Sequence, residues 1–344
     1  MPNKRTKTKR KQVRGGLFWV LLLLLTALCV LVFIYTPVTD PRTLATGSSD
    51  HIADLEKIAI PANDGGLTLH TGYTLKYSEE HEQPYWVAYV LTPAETMVKV
   101  TDREDNFRAD PAIITGSATL ADYRGSGYDR GHLAPFADLS WSEQSASDSF
   151  YLSNMSPQAP ALNRGRWQDL EAMVRTFSLS GPICVVTGPV LTDGPYKTIG
   201  ENKVSVPNYF YKAILYHDGT QTRAIGFILP NSNCPDKVQS YAVTIDDVEA
   251  MTGLDFFPLL PDDIENAAEA TFDLSQWDFT PYSDKLAATY GYDVSNMSLD
   301  APVSVTTYKD PQTPQETVLY FLYSNFAPLK LEILETLASL GIYL

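Results

Sequence analysis

Residues 17–36, LFWVLLLLLTALCVLVFIYT, form a run of twenty residues without one charge. Inside a bilayer such a segment satisfies its backbone as a single helix, and twenty residues reach about 30 Å, the thickness of the hydrocarbon core. The preceding residues 1–16 carry Lys4, Arg5, Lys7, Lys9, Arg10, Lys11 and Arg14 and no acid. A basic flank of this kind stays in the cytoplasm, so the chain beyond Tyr35 is expected outside it, in the cell envelope or the extracellular space. A cleaved signal peptide is the competing reading. Its apolar region is usually shorter, and FIYTPVTDP lacks a small-x-small cleavage site, which favours a retained signal anchor. Cleavage further on, near LATGSS, would instead release a secreted protein.

The charge of the remainder limits what it can touch. Setting those seven residues aside from 26 basic ones leaves 19 against 41 acidic residues, a formal −22. So acidic a body does not hold nucleic acid through a broad basic face. Chemistry on phosphates would need a local device, either a bound cation or a few placed arginines. Of the three cysteines, Cys29 lies in the apolar run, leaving Cys184 and Cys234. Outside the cytoplasm a disulfide between them is allowed but not required, and Cys184 in PICVVTGP also reads as a small buried hydrophobe. No Cys or His spacing suits zinc.

Residues 37–60 are rich in Pro, Ser, Thr and Asp and read as a tether. A compact body follows over 61–262. Two alternating segments in TGYTLKYSEEHEQPYWVAYVLTP predict a strand pair, and ICVVTGPVL, NYFYKAILY and TRAIGFILP predict three further strands. SFYLSNMSPQ reads as a short strand ending in a turn. In LNRGRWQDLEAMVRTFSL the apolar residues Leu170, Met173, Val174 and Phe177 recur at helical spacing. TIDDVEAMTGLDFFPLL predicts a second amphipathic helix behind a Thr or Asp cap. Strands mixed with helices in this way predict an α+β fold. Residues 263–344 form an extension of unassigned role, polar and Pro-punctuated to about 317 and ending in the amphipathic LKLEILETLASLGIYL.

GSGYDRGHLAPFADLSW, residues 125–141, reads as an irregular Gly-rich loop, and it carries one of only five histidines. Cleaving a phosphodiester needs a base to activate water, a cation against the charge of the transition state, and help for the leaving oxygen. His132 is a candidate base, because imidazole has a pKa near ~6.5. Arg130 offers a permanent charge and planar donors, and Gly131 lets backbone approach closely. Downstream, Asn154, Asn163 and Glu171 are polar. An asparagine carbonyl suits a hard ion such as Mg²⁺. Eight helical residues between Asn163 and Glu171 would turn the chain by about 800°, some ~80° net, and advance it ~12 Å, so both would not readily ligate one ion. Glu171 would then orient waters around it. Each residue alone also fits an ordinary place: a structural loop histidine, an asparagine helix cap, a solvated glutamate, an arginine paired with a nearby acid.

Together the motifs carry a resemblance. DRGH at 129–132, FYLSNMSPQ, LNRGRWQDLE, VVTGP and VTIDDVEAMTGLDFF, in that order over roughly residues 68–262, resemble the DNA/RNA non-specific endonuclease family. ADYRGSGYDRGHLAPFADLSWS is similar to the endonuclease G type. The resemblance implies a ββα-metal nuclease fold, with a central, mostly antiparallel sheet flanked by helices. It implies His132 as general base, Asn163 as the single protein ligand of a largely hydrated Mg²⁺, with Mn²⁺ able to substitute, and Glu171 orienting the waters. Asn154 would support the site, Arg130 would bind phosphate and stabilise the transition state, and Asp129 with Gly131 would hold the loop. The family has a further arginine upstream of the pair that here is Asp110-Pro111, and DREDNFRADP offers Arg103 and Arg108 for it, with Arg103 preferred. DNA and RNA are the implied substrates, the membrane is a partner through the N-terminal helix, and a homodimer is compatible with the pattern. A non-catalytic envelope protein that binds nucleic acid, and a phosphodiesterase for another substrate, are the alternatives.

Overall fold

The computed structural model describes residues 49–290. Residues 1–48 and 291–344, and with them the apolar run at 17–36 and the segment at 329–344, lie outside the described residues. Among the described residues no helix is long and apolar enough to cross a membrane.

A seven-stranded sheet organises the chain. Its strands are β1 (Leu67–His70), β2 (Tyr73–Ser78), β3 (Gln83–Leu91), β6 (Ile183–Pro189), β9 (Tyr209–His217), β10 (Thr222–Pro230) and β11 (Ala242–Val243), in spatial order β1-β2-β3-β6-β9-β10-β11. Every neighbouring pair is antiparallel. The missing numbers belong to two small hairpins, β4 (Asp129–His132) with β5 (Met155–Gln158) and β7 (Lys197–Ile199) with β8 (Val204–Val206). The strands predicted over 183–191, 208–216 and 222–230 are thus present, and so is the expected strand pair near the start.

Side chains alternate across this sheet with the two-residue period of a strand. Val87, Tyr89, Val185, Phe210, Ile214 and Phe227 enter one core. Trp86, Ala88, Val186, Tyr211, Ala213 and Ala224 enter the other. Both faces are buried, which is why these strands read as nearly continuous apolar runs. The first face is covered by a helix at Trp167–Ser178, whose Trp167, Leu170, Val174 and Phe177 reach it. The second is covered by α1 (Ser49–Ile58) and by the helices at Ile245–Thr252 and Asp262–Glu269. We call the three helices just given α2 (Trp167–Ser178), α3 (Ile245–Thr252) and α4 (Asp262–Glu269); α5 (Tyr282–Tyr290) follows.

Several boundaries differ from the sequence reading. The tether expected over 37–60 is helical from residue 49, because Ile52 and Leu55 repeat at helical spacing and pack into the second core. The loop expected at 125–141 contains β4, which is too short to show a period of its own and is held by its partner β5. The helix expected from 162 opens with a π turn over Leu162–Arg166, where Gly165 leaves helical geometry, and becomes regular only at Trp167. The second helix is capped by Thr244 in a reciprocal box with Asp247 and ends at Gly253, whose φ of 70° suits glycine. Cys184 and Cys234 are free thiols in opposite cores.

Packing also continues past residue 262, where the compact body was expected to end. Trp277 is buried at 4.9 Å from the Phe177 ring, Tyr282 donates to the Thr96 carbonyl at 2.8 Å, and Leu286 packs with Ala172. Polar, Pro-punctuated sequence hid these three anchors. Trp277→Ala should cost about 3–5 kcal/mol in urea unfolding of the full chain. An unchanged unfolding midpoint would mean that the segment after 262 does not belong to the core.

Candidate active site

The long excursion between β3 and β6, residues 92–182, carries the residues singled out from the sequence. Within it the β4–β5 hairpin sets Gly131 opposite Ser156 and His132 opposite Met155. A Cβ on Gly131 would overlap the Gln158 side chain, so the glycine is required by contact rather than by turn geometry. Gln158 is itself fully buried with both amide atoms unpartnered. Leu133 donates its backbone N–H to the Asn154 carbonyl at 3.1 Å, continuing the pairing beyond His132.

His132 is 8% exposed, and its Nε2 has no hydrogen-bond partner. The Phe107 and Phe150 rings lie 5.5 and 5.2 Å from the imidazole. Each of these rings also carries a guanidinium: Arg130 sits 4.0 Å above Phe107, and Arg103 5.2 Å from Phe150. Burial pushes the His132 pKa well below the ordinary imidazole range, and the charges of Arg103 and Arg130 push it the same way. The ring is therefore neutral at physiological pH, with a buried Nε2 that the fold leaves unmatched. Such an orphan costs stability and calls for an explanation in chemistry.

Asp129 ties the hairpin to the π turn. Its carboxylate accepts from Arg164 Nε at 2.8 Å and Nη2 at 2.6 Å, and from Asn163 Nδ2 at 3.0 Å. Burial alone would raise this carboxyl, but the donors from Arg164 and Asn163 outweigh it and hold the pKa below the usual carboxylate value. The π turn is what brings Asn163 and Arg164 to Asp129, since the helix axis breaks at Gly165. The regular eight-residue spacing between Asn163 and Glu171 therefore does not hold. Arg103, Phe107, Arg124, Asp129, Arg130, Asn163 and Arg164 line a cleft of about 510 Å³. Four arginines thus converge on one opening of an acidic chain. His132 contributes no surface to this cleft and sits behind Phe107.

The two upstream arginines separate clearly. Arg103 lines the cleft, paired at 2.7 Å with Asp105. Arg108 turns away: it donates to the Asn106 and Ser147 carbonyls and to the Ser147 hydroxyl, and stacks 3.9 Å over Tyr151. Arg108, considered for substrate binding alongside Arg103, thus has its two terminal nitrogens bonded within the fold and does not line the cleft. Asn154 is likewise committed to backbone, accepting from Ala134 N–H and donating to the Ala134 and Ser149 carbonyls. It is fully buried and holds the residues after His132.

Glu171 lies one helical turn beyond Trp167, whose indole donates to the His132 carbonyl at 3.4 Å. Its charge acts on a buried network that the sequence reading missed. Lys212 is fully buried, donates to the Leu133 carbonyl at 3.3 Å, and lies 4.5 Å over Trp167. Burial lowers its pKa and Glu171 and Asp138 raise it, leaving it at about 8. Asp138 accepts from Arg175 at 3.0 Å and from Tyr89 at 2.8 Å. Two cations and two anions thus offset one another beneath the His132–Leu133 backbone. One signal was readable: Lys212 stands between Phe210 and Ile214 on an inward register, where an apolar residue was due.

The donor set fits a divalent cation. With Asn163 Nδ2 occupied by Asp129, its carbonyl Oδ1 remains as a neutral oxygen at an open cleft. One protein oxygen with room for waters is the kind of site Mg²⁺ accepts, and Mn²⁺ takes the same oxygen ligands.

Comparison with known proteins gives concordant matches. The family model for the DNA/RNA non-specific endonucleases matches residues 52–263. Mitochondrial endonuclease G of Homo sapiens is 36% identical over 219 residues, covering 60% of this chain and 73% of its own. Nuclease C1 of Cunninghamella echinulata is 36% identical over 204 residues, covering 55% of this chain and 81% of its own. A chain of the crystal structure of the EndoG/EndoGI complex superimposes with a TM-score of 0.57 at 31% identity, over 64% of this chain and 96% of that one.

The contact between β4 and β5 is open to test. Gly131→Ala should destabilise the protein by about 1–3 kcal/mol through overpacking. Adding Gln158→Ala should recover part of that loss, because the overlapping side chain is gone. Full additivity of the two changes in urea unfolding would contradict the contact.

Proposed function

The chain belongs to the DNA/RNA non-specific endonuclease family, and on that footing we propose that it hydrolyses DNA and RNA with His132 as general base and Mg²⁺ held at Asn163. The observation that carries this reading is the unpartnered Nε2 of a buried, neutral His132, set behind an arginine-lined cleft.

The chemistry asked of the chain is limited. The neutral imidazole of His132 takes a proton from the attacking water as the water oxygen bonds to phosphorus. The P–O3′ bond then breaks, leaving a 5′-phosphate and a 3′ oxygen that gains its proton from solvent. Arg130 and Arg103 stabilise charge on the non-bridging oxygens; that both line the cleft, with planar donors that suit phosphate, supports this role. Asp129 aligns Asn163 and Arg164, while Trp167 and Lys212 hold the carbonyls of His132 and Leu133. Glu171 orients ordered water near Asn163. When bound, Mg²⁺ supplies positive charge to phosphate oxygens that the acidic body does not otherwise provide. With phosphate-directed arginines lining the cleft, cutting is expected with little sequence preference.

The apolar run at 17–36 and its basic flank support a second part of the proposal, that this domain is anchored at a membrane and lies outside the cytoplasm. Protease added to intact cells should then remove the nuclease domain, and protection of that domain until the cells are lysed would overturn the topology.

Kinetics test the chemistry. His132→Ala should keep the wild-type fold by circular dichroism and lose about 10²–10⁴ in kcat on plasmid and RNA. Arg103→Ala should lower kcat/KM, whereas Arg108→Ala should chiefly lower the unfolding midpoint; the reverse pattern would reassign the two. EDTA should abolish cleavage and added Mg²⁺ should restore it. Because the folded His132 pKa is depressed, the base stays unprotonated to lower pH, so the acid limb of kcat/KM should fall below the ordinary imidazole value of about 6.5. An acid limb above that value, or undiminished cleavage by His132→Ala, would sink this mechanism.

A further inference from the structure

On the opposite face of the sheet, α3 and α4 bury Ile245, Val248 and Ala268 in the second core. That packing forces their acidic sides together. Oxygens of Asp246, Glu249 and Glu269 all lie within 4.8 Å of one another. Two oxygens on a single Ca²⁺, each at about 2.4 Å, can be no more than about 4.8 Å apart, so the three carboxylates meet the spacing that sharing one ion requires. Asp246 is exposed, Glu249 half-buried and Glu269 only 6% exposed, which makes a site open on one side and closed on the other.

Acidic clusters are common on surfaces, and the separate observation here is Glu269. Its Oε1 is buried without a hydrogen-bond partner, on a carboxylate that lies within reach of the other two. Glu265, one turn earlier on α4, also has a buried and unpartnered Oε1. Glu249 accepts one bond, from the Phe256 backbone N–H at 2.8 Å. Among the described residues no lysine or arginine pairs with this group, while Asp255 and Glu265 add further negative charge. Burying a carboxylate among carboxylates is costly unless a proton or a cation compensates it.

We infer that Asp246, Glu249 and Glu269 form a divalent-cation site, best suited to Ca²⁺, that clamps α3 to α4 independently of the catalytic cleft. Three carboxylates with waters on the open side give an oxygen-rich, irregular shell that Ca²⁺ accepts, whereas Mg²⁺ demands near-octahedral order and gives up its waters reluctantly. Burial first, and then the charges of the neighbouring carboxylates, push Glu269 up to about 8. Glutamine has nearly the same shape without the charge, so its substitution is compatible with folding.

The test uses the full chain with Asn163→Ala as background, which removes the cleft's oxygen donor. Calorimetric titration with CaCl₂ should give one saturable site with Kd below about 1 mM, and the thermal midpoint should rise by roughly 4 °C at saturation. Glu249→Gln and Glu269→Gln should each fold, keep nuclease activity in the Asn163 background of the natural sequence, and lose both the binding and the thermal shift. MgCl₂ should bind at least tenfold more weakly. The inference is overturned by absence of saturable Ca²⁺ binding up to ~10 mM, by equal binding to Mg²⁺, or by glutamine variants that bind Ca²⁺ as the parent does.

Discussion

The cleft depends on one carboxylate. Asp129 belongs to β4, the strand that also carries Arg130, Gly131 and His132, and its two oxygens grip Arg164 and Asn163 on the π turn. Without that grip the proposed base and the proposed metal ligand would sit on separately moving pieces, since β4 has only four residues and one partner strand. The Arg164 side is largely exposed, so the ion pair's own contribution is modest and screened by solvent. Its value lies in orientation: a bidentate fork fixes an angle as well as a distance. Asn163 gains from the same carboxylate, because holding its amide nitrogen directs the carbonyl oxygen elsewhere.

A second constraint acts on His132. Two permanent cations stand near a group that must stay uncharged, and they are kept close without touching it by the Phe107 and Phe150 rings. Each ring offers its face to a guanidinium and packs against the imidazole. The arrangement concentrates positive charge where phosphate would bind and at the same time disfavours the imidazolium. It also reconciles a formal net charge of −15 with an anionic substrate, because the field in a cleft follows nearby charges and not the total.

The large elements were legible in the sequence for simple physical reasons. Strands buried on both faces are apolar throughout, and the alternation of Val185 and Val186 into different cores leaves that pattern intact. The helix after Trp167 shows its period in Leu170, Val174 and Phe177. What failed was local. β4 cannot be told from a loop in four residues, a π turn has no compositional mark beyond Gly165, and Trp277 and Tyr282 are isolated anchors in polar sequence. At the site, His132, Arg130, Asp129 and Asn163 were individually ambiguous, and only their order along the chain resembled a known family. Asn154 and Arg108 look equally chemical in sequence; their hydrogen bonds to backbone within the fold show only in three dimensions. Lys212 and Asp138 escaped because a buried charge reads as a surface one until its partners are known.

The central claim is that His132 supplies the base. Chemical rescue tests it most directly: His132→Ala leaves a hollow beside Phe107 and Phe150 into which a free imidazole fits. Adding imidazoles of graded basicity to that variant should restore cleavage in a saturable way, with rates that rise with the basicity of the added ring. A folded variant whose cleavage is as fast as wild type without any imidazole, or whose activity no imidazole restores, would contradict the account.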